Sequence, residues 1–173
     1  MAPAPISTDE LQSLERKRFV ELLGDVVEHS PWVAEGVFDA GPFDSVEALH
    51  RVMVEVMRRA SRRRQLALIR AHPDLAGRAA IRGELTPASS AEQAGAGLDQ
   101  CTRAEFERFH ELNDKYRQRF GFPFILAVKG KSRQEILAAF EQRLTNSVDA
   151  EFEEALGQIA LIARFRLDDL IRS

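Results

Sequence analysis

Three side chains in this sequence have the types and surroundings that proton transfer and anion binding require: His72, Glu92 and Arg166. His72 stands directly before Pro73, and a following proline disfavours the helical backbone conformation at the residue that precedes it. We therefore expect His72 just beyond the end of a helix, with its imidazole directed into a cleft. Because histidine titrates near neutral pH, it suits proton transfer at such a position.

Glu92 has two interpretations on the residues alone. The segment Ser89-Ser90-Ala91-Glu92 matches a capping box, in which the glutamate would only satisfy backbone donors at the start of a helix. The segment that follows, Gln93 to Gly97, is poor in bulky side chains and leaves room for a ligand or for a neighbouring helix. Taken by itself, the pattern favours the capping interpretation over a catalytic carboxylate.

Arg166 interrupts the apolar stripe of the last predicted helix. The members of that stripe are Phe152, Leu156, Ile159, Ala163 and Leu170. An arginine on the buried side of a helix is unfavourable unless it meets an acid or an anion. A structural ion pair and a guanidinium that grips substrate oxygens both meet this condition, and the sequence leaves both open.

The remaining patterns predict helices almost throughout the chain. Three capping boxes mark helix starts, at Ser7 with Glu10, Thr102 with Glu105, and Ser132 with Glu135. Apolar residues recur at helical spacing between and after these starts. Residues 122–128 form an apolar run that contains a proline and has no partner strand, which favours a buried extended segment. We predict an all-α, single-domain bundle of about eight helices.

The composition and the net charge indicate a globular protein that does not bind nucleic acid. The chain has 173 residues with 45% apolar and 29% charged residues, which fits one globular domain over 1–173 with residues 1–6 as a flexible extension. The formal net charge of −3 predicts no nucleic-acid partner, and the basic run from Arg58 to Arg64 fits a solvated helix end.

The lack of a long apolar run and the single cysteine both bear on the cellular location of the protein. No apolar run approaches the roughly 20 residues that a membrane span requires. The lone cysteine, Cys101, cannot form a disulfide within the chain, which is typical of a reducing compartment. We expect a cytoplasmic protein with no membrane partner.

Two alternatives to an enzyme that uses His72 for proton transfer follow from the residues. His72 and Asp74 could form one edge of a metal-dependent hydrolase, although the spacings of known zinc and phosphate motifs do not occur. A helical binding domain without catalysis would instead use the stripe of the last helix as a dimer interface, with Arg166 in an ion pair.

Several sequence blocks, taken together, resemble one family. They are Glu28-His29-Ser30-Pro31-Trp32, Leu68-Ile69-Arg70-Ala71-His72-Pro73-Asp74-Leu75-Ala76-Gly77, Ser89-Ser90-Ala91-Glu92-Gln93-Ala94-Gly95, Leu112-Asn113 with Tyr116, Phe120-Gly121-Phe122-Pro123-Phe124-Ile125 and Ile162-Ala163-Arg164-Phe165-Arg166-Leu167. In this order they resemble OHCU decarboxylase (2-oxo-4-hydroxy-4-carboxy-5-ureidoimidazoline decarboxylase) from about residue 6 to the end. The His-Pro-Asp-Leu block followed by Ser-x-x-Glu-Gln is the most specific part.

This resemblance implies an all-helical homodimer that decarboxylates OHCU to S-allantoin and carbon dioxide in urate catabolism. It implies that the enzyme uses no metal and no organic cofactor. The residues that match the catalytic histidine and glutamate are His72 and Glu92. Those that match the substrate-binding positions are Pro73, Ser89, Gln93, Ile125 and Arg166.

Overall fold

The computed structural model describes residues 4–172, and their fold is all-α, as predicted. Ten α-helices and one short 3-10 helix occur within these residues, where the sequence predicts about eight helices. The helices are α1 (Thr8–Gln12), α2 (Arg16–Leu23), α3 (Pro31–Ala40), α4 (Val46–Arg59), α5 (Arg62–Arg70), α6 (Arg78–Ile81), α7 (Pro87–Gly95), the 3-10 helix (Leu98–Gln100), α8 (Arg103–Phe120), α9 (Arg133–Arg143) and α10 (Val148–Leu170). The short α6 and the 3-10 helix account for most of the difference.

The chain divides into two compact units. The first unit comprises the residues up to Ala71 together with those from Ala160 onward, and the second unit comprises His72–Ile159. The expectation of one domain over 1–173 stays a prediction.

In the first unit, helix α3 packs against both α2 and α4. The buried face of α4 carries Leu49, Met53 and Met57, which repeat at helical spacing. Two very short strands, β1 (Ile6–Ser7) and β2 (Ile171–Arg172), pair in parallel with Ile6 opposite Ile171. Ile6 of the predicted N-terminal extension is therefore in a strand, and residues 1–3 lie outside the described residues.

In the second unit, an aromatic cluster surrounds Tyr116 of α8. The centre of the Tyr116 ring lies 4.4 to 6.0 Å from the ring centres of Phe120, Phe122, Phe124 and Phe140. Helix α8 ends at Phe120 and is capped by Gly121, whose φ of 78° lies in the left-handed region that glycine adopts readily. Residues 122–128 then run buried without regular secondary structure, which confirms the predicted extended segment.

The three predicted capping boxes are confirmed. The hydroxyls of Ser7, Thr102 and Ser132 each accept a hydrogen bond from the backbone N–H three residues on, and the glutamate carboxylate at that position accepts one from the backbone N–H of the cap residue. Each box satisfies two backbone donors that a helix start leaves unpaired. Within residues 4–172, no helix is long and apolar enough to cross a membrane.

Candidate functional site

His72 lies two residues beyond the end of α5 at Arg70, as predicted. It is the first residue of the second unit and is only 6% exposed. A buried histidine next to a proline has few backbone and side-chain alternatives, because its φ and ψ angles and its surroundings are both restricted. The segment that follows His72, residues 73–77, is named the His72 turn.

The His72 turn is tightly folded. Ala76 adopts a φ of 51°, a left-handed conformation that is strained for any residue with a Cβ atom. A Cβ atom added to Gly77 would lie 2.7 Å from Cβ of Asp74, so this glycine allows the chain to pass close to itself. Such a conformation persists only when surrounding groups hold it.

Gln93 of α7 holds this turn at two points. Its Oε1 accepts a hydrogen bond of 3.0 Å from the backbone N–H of Ala76, and its Nε2 donates one of 3.2 Å to the carbonyl of Asp74. The structure thereby joins the two most specific blocks of the sequence, the one that contains His72 and the one that contains Glu92. The side chain of Gln93, which is 6% exposed, has a structural task that the sequence did not reveal.

Asp74 is held from the opposite side by α8. Arg117 donates from Nε and Nη2 to the Asp74 carboxylate, at 3.1 and 2.9 Å to Oδ1. A carboxylate engaged in this forked ion pair is a poor candidate for a metal ligand. Among residues 4–172, no three His, Cys, Asp or Glu side chains are grouped in a way that could hold a metal ion.

The capping-box interpretation of Glu92 is wrong. Helix α7 starts at Pro87, and its N-cap is Thr86, whose hydroxyl accepts a hydrogen bond of 3.2 Å from the Ser89 backbone. Proline is favoured at the first helical position because it has no N–H to satisfy there, and this moves the helix start ahead of Ser89. Glu92 therefore lies inside the helix, where a capping role is impossible.

Three of the predicted site residues share one face of α7. Ser89, Glu92 and Gln93 follow the i, i+3, i+4 spacing that places side chains on the same side of a helix. Ser89 and Gln93 are buried and Glu92 is partly exposed. This face is the one that meets the His72 turn, since Gln93 bonds to it.

Ile125 belongs to another set of contacts in the second unit. Its backbone carbonyl accepts a hydrogen bond of 2.5 Å from Nη1 of Arg143, at the end of α9. Arg143 is 2.8 Å from the buried carboxylate of Glu151 on α10. The Tyr116 hydroxyl donates to the same carboxylate, and burial together with this carboxylate raises the pKa of Tyr116. Sequence reasoning missed Arg143, because a basic residue in the last turn of a helix is usually exposed.

Arg166 lies in the first unit, on the buried side of α10 as the stripe predicts. Its Nη2 is 2.9 Å from Oε1 of Glu28, and its Nη1 donates to the carbonyl of Val26 at 3.3 Å. The structural ion pair that the sequence left open is therefore present. Glu28 follows two buried valines, and an acid in such an apolar run is a signal that could have identified it as the partner.

A cavity of about 470 Å³ opens in the second unit beside the His72 turn. Ala76 and Gln93 line it, together with Ser90 and Ala94 of α7 and Phe106 of α8. Of the predicted site residues within the described chain, Gln93 alone is in its lining. The predicted catalytic residues His72 and Glu92 are therefore not part of the cavity lining.

Comparison with known proteins gives consistent results. Residues 12–168 match the family model described as OHCU decarboxylase. The 2-oxo-4-hydroxy-4-carboxy-5-ureidoimidazoline decarboxylase of Halalkalicoccus jeotgali is 44% identical, over 95% of this chain and 92% of its own length. The protein of that name from Haloferax volcanii is also 44% identical, over 97% and 98%. A crystal structure of (S)-allantoin synthase matches with a TM-score of 0.80 and 31% identity, over 98% of this chain and 55% of that one.

Proposed function

This chain belongs to the OHCU decarboxylase family, and from that premise we propose that it converts OHCU to S-allantoin and carbon dioxide in urate degradation. The observation that carries the proposal is the family match, which spans nearly the whole chain and includes both specific blocks. The contact between those blocks through Gln93 supports it, because it brings the predicted catalytic segments together in one unit.

The reaction needs an electron sink, which the substrate itself can supply. When the bond between carbon and carboxylate breaks, its electron pair stays on the ring and carbon dioxide leaves. This pair forms a C=C bond to the carbon of the adjacent C=N bond, and the ring nitrogen of that bond takes up a proton. The resulting enol loses its hydroxyl proton as the carbonyl forms, and a proton added to one face of the former C=N carbon gives the S product. The protein then has to orient the ring, stabilise the developing charge and deliver the proton.

We assign the proton transfer to His72 and its support to Glu92. An imidazole can hydrogen-bond the departing carboxylate or the hydroxyl and then return a proton to the ring. Glu92 is the acidic member of the α7 face that meets the His72 turn, so its carboxylate is suited to orient the imidazole or the ureido nitrogens. The division of the two roles stays a proposal.

We assign substrate binding to the remaining matched positions. They are Pro73, Ser89, Gln93, Ile125 and Arg166. A guanidinium binds oxygens in pairs, and the Glu28 carboxylate fixes the plane in which the Arg166 guanidinium lies. Gln93 binds the His72 turn with one Nε2 hydrogen and can offer the other to the substrate.

The direct test is a circular-dichroism assay of S-allantoin formation from freshly generated OHCU. The chain should accelerate this step, and the acceleration should survive removal of metals with a chelator. His72→Asn should abolish turnover and leave the thermal unfolding temperature close to that of the wild type. Near-normal turnover of His72→Asn would remove His72 from the chemistry.

A matched control is available within the same unit. His110 is a partly exposed histidine on α8, and its Nε2 lies 3.5 Å from Oδ2 of Asp114 on the same helix. His110→Asn makes the same chemical change outside the proposed site. It should leave the rate of S-allantoin formation unchanged.

The family resemblance also leads us to propose a homodimer in the cytoplasm. Light scattering coupled to size-exclusion chromatography should give a mass of two chains at the concentrations used for the assay. A mass of one chain under those conditions, with full activity, would contradict the homodimer.

A further inference from the structure

Three consecutive residues of the His72 turn each have a backbone group that is hydrogen-bonded to a side chain from another helix. Gln93 bonds to the carbonyl of Asp74 and to the N–H of Ala76, as described above. Between them, the carbonyl of Leu75 accepts a hydrogen bond of 3.0 Å from Nδ2 of Asn113 on α8. A turn that contains a strained Ala76 therefore depends on two uncharged amides from two different helices.

Asn113 is an unusual residue for its position. It is 4% exposed, and within residues 4–172 its Oδ1 has no hydrogen-bond partner. An unsatisfied buried oxygen is unfavourable, so packing alone does not explain an asparagine at this position. What the asparagine contributes is its donor, since only Nδ2 can bond to a carbonyl.

We infer that Asn113 is a positioning residue for His72, acting through the carbonyl of Leu75. This inference rests on the proposed function, in which His72 transfers the proton. Asn113 fixes the backbone three residues after His72 without adding charge near the imidazole. A displacement of about 1 Å in a reacting group can reduce a rate by up to roughly 100-fold, so loss of this bond should lower kcat more than it changes KM.

The first variant to test is Asn113→Leu, which removes the donor and the unsatisfied oxygen together. We expect kcat for OHCU to fall by roughly 10- to 100-fold, with KM nearly unchanged. The unfolding temperature should change little, because removal of the unsatisfied oxygen offsets the loss of the donor to the Leu75 carbonyl. A kcat within twofold of the wild type would overturn the inference.

Phe109→Leu is the matched control. Phe109 lies one helical turn before Asn113 on α8 and is fully buried. Its shortening should lower the unfolding temperature by loss of packing and leave kcat of the folded protein unchanged. If both variants lowered kcat equally, the effect of Asn113 would be one of general packing, and the inference would fail.

Asn113→Asp adds a pH-dependent test. A protonated aspartic acid can donate to the Leu75 carbonyl, whereas the ionised form faces that carbonyl with a negative charge. The kcat of this variant should approach the wild-type value at acid pH and fall below it as pH rises. Asn113→Leu has no group that titrates at this position, so its kcat relative to wild type should not show this fall. A constant ratio of kcat between Asn113→Asp and wild type across pH would contradict the inference.

The position of the imidazole can also be followed without turnover. Nuclear magnetic resonance detects the ring signals of the four histidines, and the His72→Asn variant assigns the His72 signals. Asn113→Leu should shift the His72 signals and leave those of His50, which lies on α4 in the first unit, in place. Failure of the wild-type protein to convert OHCU would contradict the proposed function. Unchanged His72 signals in Asn113→Leu would instead contradict the positioning role of Asn113, whatever the activity of the wild type.

Discussion

Each of the two units contains a buried arginine–glutamate pair. In the first unit Arg166 lies 2.9 Å from Glu28, with side chains 8% and 1% exposed. In the second unit Arg143 lies 2.8 Å from Glu151, with side chains 9% and 0% exposed. Removing two charges from water is unfavourable, and each pair offsets this only through good geometry and added hydrogen bonds. Burial beside an acid therefore does not by itself mark a functional arginine.

The surroundings of the two pairs differ. Arg143 lies over the ring of Phe124 at 4.4 Å, and Glu151 also accepts hydrogen bonds from Tyr116 and Asn146. Arg143 and Glu151 are eight residues apart, so this pair joins the end of one helix to the start of the next. These features favour a structural role that fixes the buried segment before α9.

The pair in the first unit spans far more of the sequence. Glu28 and Arg166 are 138 residues apart, and the arginine also donates to the backbone that precedes Glu28. The family resemblance assigns substrate binding to Arg166 and no role to Arg143. A buried arginine–glutamate pair can therefore either stabilise the fold or orient a binding group. Substitutions at Arg143 and Arg166 can distinguish these two roles.

The largest effect on stability is expected from Arg143→Met. The substitution leaves the carboxylate of Glu151 buried without its cation, which should lower the free energy of unfolding by about 3–5 kcal/mol. Denaturation in urea, followed by circular dichroism, measures this change.

The double variant Arg143→Met with Glu151→Leu is the control for that result. It removes both charges, so a large part of the lost stability should return, because the unpaired carboxylate is gone. A single variant that loses less than about 1 kcal/mol would show that the Arg143 pair contributes little, and the contrast between the two units would then lose its basis.

The next largest effect is a loss of activity in the variant Arg166→Lys. Lysine keeps a positive charge near Glu28 but cannot donate in the forked geometry of a guanidinium. We expect kcat/KM for OHCU to fall on the order of 100-fold, which corresponds to about 2.7 kcal/mol, with a much smaller change in stability. The OHCU assay and thermal unfolding together separate the two effects.

Arg164→Lys provides the comparison on the same helix. Arg164 pairs at the surface with Glu47 and Asp168, and the same substitution there should change neither activity nor stability appreciably. If Arg166→Lys kept full activity, Arg166 would be a structural residue like Arg143, and substrate binding by that residue would be ruled out.

These contacts also show which parts of the structure can be predicted from sequence. Capping boxes are local, because donor and acceptor lie three residues apart, and all three were predicted correctly. The burial of Arg166 followed from the helical period of its stripe. The capping prediction for Glu92 is also local, and it is wrong because the pair Thr86-Pro87 provides a better helix start than Ser89.

The contacts that the sequence did not predict are non-local. Asn113 and Leu75 are 38 residues apart, and Glu28 and Arg166 are 138 residues apart. No periodicity links such residues, because their proximity depends on how whole helices pack. The family blocks identified the positions but not their contacts, so the structural task of Gln93 and the role of Arg143 became visible only in the fold.

The smallest effect concerns a third pair, in which the ions are less buried. Glu105 of α8 lies 3.0 Å from Arg133 of α9, with side chains 17% and 27% exposed. The Thr102 backbone N–H that bonds to its carboxylate, and then Arg133, hold the pKa of Glu105 below its ordinary value. The ionised carboxylate therefore stabilises the fold above the ordinary pKa of glutamate, and this contribution is lost as pH falls through the lowered value.

Glu105→Gln should reveal that loss as a difference that depends on pH. The variant should be less stable than the wild type at neutral pH, and the gap should close as both are acidified, because the wild type then loses its charge as well. Glu107→Gln is the control, since Glu107 forms an exposed pair with Arg103 within the same helix and should produce a smaller gap. A gap for Glu105→Gln that stays constant from neutral to acid pH would mean that packing of the side chain, and not its charge, joins α8 to α9. The charge-based contrast would then hold only for the two buried pairs.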